Sequence, residues 1–235
     1  RALYETRTRS LEADISGLKF NTFRTGSKIR LGSIEVEPIH VDHSVPAAYG
    51  FVVHTSEGAL VYTGDLRVHG TKSEMTNDFV ERAREVRAEA LLAEGTNLIG
   101  ATLTTEAEVQ SKVSSIVRSS SKIVLTDFSN VDVDRFRTFY NVVKENGRVL
   151  AISLRQAYLL SKLGSEGKID IPDVAHDENV VVYQRSKKRY FEWEKSVLSF
   201  QNVVEASDIK NRQSKTVLVS SARDLKELVE VRPEP

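Results

Sequence analysis

The 235 residues contain no cysteine, one methionine, one tryptophan and five prolines. Without cysteine, disulfides and thiolate metal centres are excluded, and any metal must be held by histidine and carboxylate. Net charge is absent too, with 33 basic against 33 acidic side chains. Charge alone therefore does not mark a nucleic-acid binder, although a neutral total leaves room for a local basic groove. No apolar run approaches the roughly 20 residues of a membrane span, and no secretory leader is visible. No membrane partner is expected, and the composition suits a cytoplasmic protein. The chain begins at Arg1 and ends in Arg-Pro-Glu-Pro, so both ends read as cuts in a longer sequence.

What is present is an ordinary globular balance, 40% hydrophobic and 28% charged. The patterning changes along the chain. Residues 1–19 carry apolar side chains at a loosely helical period that stops near Gly17. From Asn21 to Asp65 the pattern is of short strands, at Lys28–Leu31, Ile34–His40, Tyr49–Thr55 and Ala59–Thr63, with a hairpin turn at Ser56-Glu57-Gly58. A polar loop over 67–76 leads to a charged helix, Asn77–Val86, and Ala90–Ala93 reads as a short buried strand.

Beyond residue 98 strands and helices alternate. Strands are expected at Lys122–Asp127, Arg148–Ile152, Asn179–Tyr183 and Thr216–Ser220. Helices are expected at Thr104–Ser120, Val131–Asn146, Leu154–Leu163 and Tyr190–Phe200. Thr105 and Glu108 have the spacing of a capping box. Such alternation signals a parallel, doubly wound sheet. The best boundary divides the chain into 1–98 and 99–235.

The residues that point to chemistry lie at two strand ends. His43 follows the run containing Ile34, Val36, Ile39 and Val41, and Asp65 follows Leu60, Val61 and Tyr62. A neutral imidazole and a carboxylate able to bridge two ions are what a di-metal hydrolase requires. The alternatives are bland: His40 and His43 as structural histidines, and Asp65 as a turn residue capping its own backbone. His54 alternates with apolar strand residues and reads as structural, and His69 reads as solvent-facing or as support for the site.

Three stretches carry a resemblance. His43-Ser44-Val45-Pro46-Ala47-Ala48-Tyr49-Gly50-Phe51, His54-Thr55-Ser56-Glu57-Gly58 and Tyr62-Thr63-Gly64-Asp65-Leu66-Arg67 resemble the third and fourth motifs of the metallo-β-lactamase superfamily, in the form of its β-CASP nucleases. Within these the chain is most similar to archaeal ribonuclease J-type proteins. Residues 89–97, ending Glu94-Gly95-Thr96-Asn97, resemble the β-CASP motif that supplies an acidic residue at a strand end.

The resemblance implies a partial metallo-β-lactamase αββα sandwich over 1–98, followed by most of a Rossmann-like β-CASP domain over 99–235. It implies a ribonuclease that hydrolyses RNA phosphodiesters with a metal-bound hydroxide between the two domains, two zinc ions in the intact protein, and a homodimer as one assembly open to it. His43 and Asp65 would be metal ligands, with Asp65 bridging the ions, and Glu94 would orient a histidine that assists proton transfer. The family's His-x-His-x-Asp-His motif is absent and is expected upstream of Arg1, and the later histidine motifs are expected after Pro235. Residues 1–235 alone are therefore expected to be inactive.

Two features bear on RNA. Ser153 and Arg155 sit at a strand-to-helix turn, where backbone N–H groups, a hydroxyl and a guanidinium can seat a phosphate; the alternative is a simple Ser cap. Arg185, Lys187 and Lys188 are interleaved with Tyr183, Tyr190, Phe191 and Trp193, a pattern of cations for phosphates and rings for bases; the alternative is a solvated loop with the rings in the core. Two rival functions stand beside the ribonuclease. One is a metallo-hydrolase of DNA or a small ester. The other is a non-catalytic RNA-binding or assembly module with a degenerate metal site.

Overall fold

A computed structural model describes residues 17–96, 104–221 and 224–233. They form two units, one over 20–108 and one over 17–19 and 109–233. The boundary expected at 98/99, the end of the acidic motif at Asn97 and most of the expected N-terminal helix lie outside the described residues.

The first unit is a five-stranded sheet in the order β1 (Ile29–Leu31), β2 (Ile34–His40), β3 (Tyr49–Thr55), β4 (Gly58–Tyr62), β5 (Ala90–Leu92). The first four pair antiparallel, and β5 joins β4 in parallel. Helix α1 (Ser73–Glu85) packs on one face. Its Phe79 joins Ile39, Val41, Val52 and Val61 in a small buried core. Gly50 is required there, because a Cβ at this position would lie 2.4 Å from the Phe79 ring.

The register puts Leu31, Ile34, Val36, Pro38, Phe51, Val53, Tyr62 and Leu92 on the opposite face. Leu31 is 62% exposed and Leu92 51%. All three residues of β5 are exposed, which corrects the expectation of a buried strand. The apolar pattern is that of a strand made to be covered, but β5 is an edge strand, and no described element covers its outer side. Helix α1 starts a turn earlier than the sequence suggests, at Ser73, with no side-chain cap to announce it.

The second unit is an all-parallel sheet in the order β6 (Val124–Thr126), β10 (Thr216–Val219), β7 (Val149–Ser153), β8 (Val180–Tyr183), β9 (Val203–Val204). Helices α2 (Glu106–Ser119), α3 (Val133–Glu145), α4 (Leu154–Ser165) and α5 (Glu192–Leu198) cover one face, packing Val117, Phe136, Leu160 and Val197 against Leu150, Ile152, Val182 and Val217. Full burial of each such side chain stabilises by about 1.5–3 kcal/mol. Helices α6 (Ala206–Asn211) and α7 (Leu225–Val231) cover the other face through Ile209 and Val231, over Ala151, Tyr183 and Leu218.

This is the doubly wound α/β arrangement that the alternation implied. Local signals hold as well: Thr105 and Glu108 exchange their capping-box bonds, and Asp132 caps α3 through the Arg135 N–H at 2.9 Å. Strand β9 and helices α6 and α7 were not read from the sequence. Each has two to seven residues, too few to establish a period.

Candidate active site

Strands β2, β4 and β5 run in the same direction, because β3 lies antiparallel between the first two and β5 is parallel to β4. His43, Asp65 and Glu94 each follow the C-terminal end of one of them by two or three residues. The topology therefore gathers the three candidate residues at one end of one sheet.

Backbone bonds stitch their loops together. Leu66 N–H donates to Glu94 Oε1 at 2.8 Å, and Glu94 N–H donates to Thr63 Oγ1 at 3.2 Å. Arg67 N–H donates to the Asp42 carbonyl at 2.9 Å, tying the His43 loop to the Asp65 loop. Thr76 on α1 accepts from Asp42 N–H at 2.9 Å and donates to the Arg67 carbonyl at 2.8 Å. The turn before Asp65 needs glycine, since Gly64 has φ +57° and a Cβ would meet the Tyr49 carbonyl at 2.8 Å.

Asp65 is exposed, and no described residue bonds to its carboxylate. Glu94 is occupied on both oxygens, by Leu66 N–H and by the Thr96 hydroxyl at 2.7 Å. The Thr96 bond, then the Leu66 bond, outweigh burial and hold its carboxyl below the ordinary 4.5. In this arrangement Glu94 braces the Asp65 turn. His43 Nδ1 accepts the Val45 N–H at 3.2 Å. A neutral imidazole bonded in that way carries its proton on Nε2, opposite to the tautomer that ligates a metal through Nε2.

The implied zinc pair is thus not completed by these residues. Among the described residues no group of three or more His, Asp or Glu could hold a metal ion. His43 and Asp65 would make a minority of the ligands two ions need.

A buried ion pair supports these loops. Asp42 is buried and ion-paired with Arg67 at 3.2 Å, and Gly70 backs onto its second oxygen, where a Cβ would lie 2.3 Å away. The signal was an acid between two histidines two residues beyond a strand, with an arginine two residues past Asp65.

In the second unit, Ser153 is the N-cap of α4. It accepts the Gln156 N–H at 3.2 Å and donates to Asn130 Oδ1 at 3.1 Å. Arg155 beside it is exposed. The basic loop divides. Arg185 pairs with Asp224 and Glu227, and Lys187 pairs with Glu194 and lies over the rings of Tyr190 and Phe191. Lys188 is exposed and has no bonded partner among the described residues.

No protein-family model matches the chain. Among curated proteins it is 27% identical over 174 residues to ribonuclease J of Sinorhizobium meliloti, covering 72% of this chain and 29% of that protein. It is 24% identical over 167 residues to ribonuclease J 2 of Streptococcus pyogenes serotype M3, covering 65% of this chain and 30% of that protein. The chain thus spans under a third of the length of these relatives. A crystal structure of a protein of unknown function from Enterococcus faecalis V583 superposes with a TM-score of 0.68 at 16% identity, over 94% of this chain and 51% of that one, and so shares the fold.

In fold the chain is like that solved structure, and in sequence it is similar to ribonuclease J proteins.

Proposed function

We propose that this chain is the central part of an RNA-hydrolysing β-CASP enzyme, with His43, Asp65 and Glu94 at its reaction centre. The observation that carries the reading is the convergence of these three residues at the C-terminal ends of β2, β4 and β5, with Glu94 bonded to the residue after Asp65. The ribonuclease J relatives supply the reaction class and RNA as substrate. Asp65 presents an unengaged carboxylate to a ligand. Glu94 fixes the turn that aims it. Zinc enters the proposal as an ion whose ligands include His43 and Asp65 together with groups that the described residues do not supply.

The test is cleavage of a labelled single-stranded RNA, with zinc content measured in parallel, by the longer protein that contains this chain. Asp65→Ala is expected to abolish cleavage and lower the zinc content. Glu94→Gln is expected to reduce activity by about 10- to 100-fold, as for a group that orients a ligand. RNA cleavage unchanged in Asp65→Ala would overturn the reading.

The absence of a three-ligand group among the described residues favours a second reading, an RNA-binding module with a degenerate metal site. That reading gains if the longer protein binds RNA without metal or cleavage. Hydrolysis of DNA or a small ester in place of RNA would show as a change of substrate with the same dependence on Asp65.

A further inference from the structure

Asp42 precedes His43, and Arg67 follows Asp65 by two residues. Their peptides meet directly, where Arg67 N–H donates to the Asp42 carbonyl at 2.9 Å. That bond leaves the Asp42 N–H and the Arg67 carbonyl to be satisfied beside it. One hydroxyl satisfies both. Thr76 Oγ1 accepts from Asp42 N–H at 2.9 Å and donates to the Arg67 carbonyl at 2.8 Å. The three residues thereby close a ring of hydrogen bonds that joins the His43 loop, the Asp65 loop and helix α1.

Thr76 is fully buried, and its hydroxyl is not used in the local way. Inside a helix a threonine hydroxyl ordinarily bonds the carbonyl three or four residues before it. Thr76 is the fourth residue of α1, and it reaches instead a carbonyl nine residues back and an N–H 34 residues back. A hydroxyl both donates and accepts through one atom. Valine has nearly the same shape and does neither, whereas serine does both. Phe79, three residues on and the other buried residue of α1, seats the helix on Ile39, Val41, Val52 and Val61. The bond from Arg67 to Asp42 therefore fixes one loop against the other, and Thr76 fixes both against a helix that the core holds still.

We propose that Thr76 is a positioning residue of the reaction centre, whose hydroxyl sets how His43 and Asp65 are presented to each other. Being fully buried, it meets no substrate and acts only through the two loops. Reacting groups held about 1 Å out of place can cost about 100-fold in rate, so a tie of this kind bears on turnover more than on binding. The tie itself stands on geometry alone. Its part in catalysis rests on the function proposed above.

The test uses the longer protein that contains this chain, as Thr76→Val, Thr76→Ser and a control, Val52→Ala, which trims the core on β3 away from both loops. Rates on a labelled single-stranded RNA give kcat and KM at a temperature where circular dichroism shows every variant folded. Thr76→Val is expected to lower kcat by about 10- to 100-fold with KM within about twofold of the parent. Thr76→Ser is expected to restore most of that loss. Val52→Ala is expected to lower the midpoint of thermal unfolding and leave kcat in place. Amide hydrogen exchange in the same proteins reads the tie without activity. Thr76→Val should speed exchange at Asp42 N–H by about tenfold, the worth of one net hydrogen bond, while the amides of β3 keep the parent rates. A parent-like kcat in folded Thr76→Val overturns the proposal. So does Thr76→Ser as slow as Thr76→Val, because the hydroxyl would then not be what matters. A loss of kcat in Val52→Ala that matches Thr76→Val overturns it too, since general loosening would account for both. If the parent cleaves no RNA, the function proposed above falls, and exchange decides the tie by itself: acceleration at Asp42 keeps it, and unchanged exchange removes it.

Discussion

Arg67 donates from both Nε and Nη2 to a single oxygen of Asp42, each at 3.2 Å, and the other carboxylate oxygen has no bonded partner among the described residues. Asp42 precedes His43 and Arg67 follows Asp65 by two, so one buried ion pair sets the spacing of the two loops that carry the candidate site. Breaking a buried pair from one side leaves the other charge stranded. Asp42→Ala is therefore expected to destabilise the first unit by about 3 kcal/mol, measured by urea unfolding. Removing both partners, in Asp42→Ala with Arg67→Met, is expected to recover part of that loss. Two effects that simply add would mean that the pair is not coupled.

How the site was legible follows from this pair. His43 and Asp65 could be picked out because each is a polar residue of a distinctive type just beyond an apolar run, and runs are visible in a sequence. The same holds for the parallel second sheet, whose strands are apolar throughout, and for Asp132 and Thr105 at their helix starts. The Asp42–Arg67 clamp was not legible, because it joins residues 25 apart through side chains whose burial depends on α1 packing over the sheet. The exposure of β5 was hidden for a related reason. Apolar residues say that a strand is made to be covered, and they do not say whether the cover lies within the described residues. The Thr76 tie is a property of packing alone, with no trace in the pattern.

His40 ends β2 and stacks on Tyr49, with ring centroids 4.9 Å apart and planes within 11°. Burial first, and then the charge of Lys72, hold its pKa below the ordinary 6.5. A depressed folded value means that the neutral form is the one that fits. Its contribution is complete above the unfolded value near 6.5 and is lost as pH falls through the lower folded value. The first unit is therefore expected to weaken as pH drops below about 6.5. His40→Phe keeps the ring stack and removes the titration, so its stability should be flatter over pH 5–7 than that of the parent. Identical slopes in denaturant titrations across that range would refute the assignment.

On the sheet face away from α1, Leu31, Ile34, Tyr62 and Leu92 are all exposed, and β5 adds an unpaired strand edge. Apolar patches of this kind associate, and exposed strand edges pair with other chains. The 235-residue chain is expected to bind a hydrophobic dye and to sediment as more than a monomer. Leu31→Glu with Leu92→Glu should diminish both effects without loss of the far-ultraviolet circular dichroism, because neither side chain belongs to the core that includes Phe79. A dye-silent, monodisperse parent chain would show that the face is already covered.

The basic loop after β8 offers the sharpest separation of roles. Arg185 and Lys187 are held by Asp224, Glu227 and Glu194, and Glu194 also accepts the Phe191 N–H at 2.9 Å at the start of α5. A cation already paired with carboxylates releases little counterion when a phosphate approaches. A solvated one such as Lys188 releases it in full, and the salt dependence of binding counts the difference. Each fully effective lysine contributes about 0.7 to the slope of log K against log salt on a single strand. Lys188→Ala is therefore expected to lower the slope for single-stranded RNA by roughly that amount and to leave thermal stability within about 0.5 kcal/mol of the parent. Lys187→Ala should do the reverse, barely changing the slope while destabilising the second unit by about 1 kcal/mol, because Glu194 is left buried without its partner. Binding titrations at four salt concentrations, paired with unfolding curves for both variants, read the two roles apart. Equal slopes for Lys187→Ala and Lys188→Ala would mean that RNA pulls Lys187 away from Glu194.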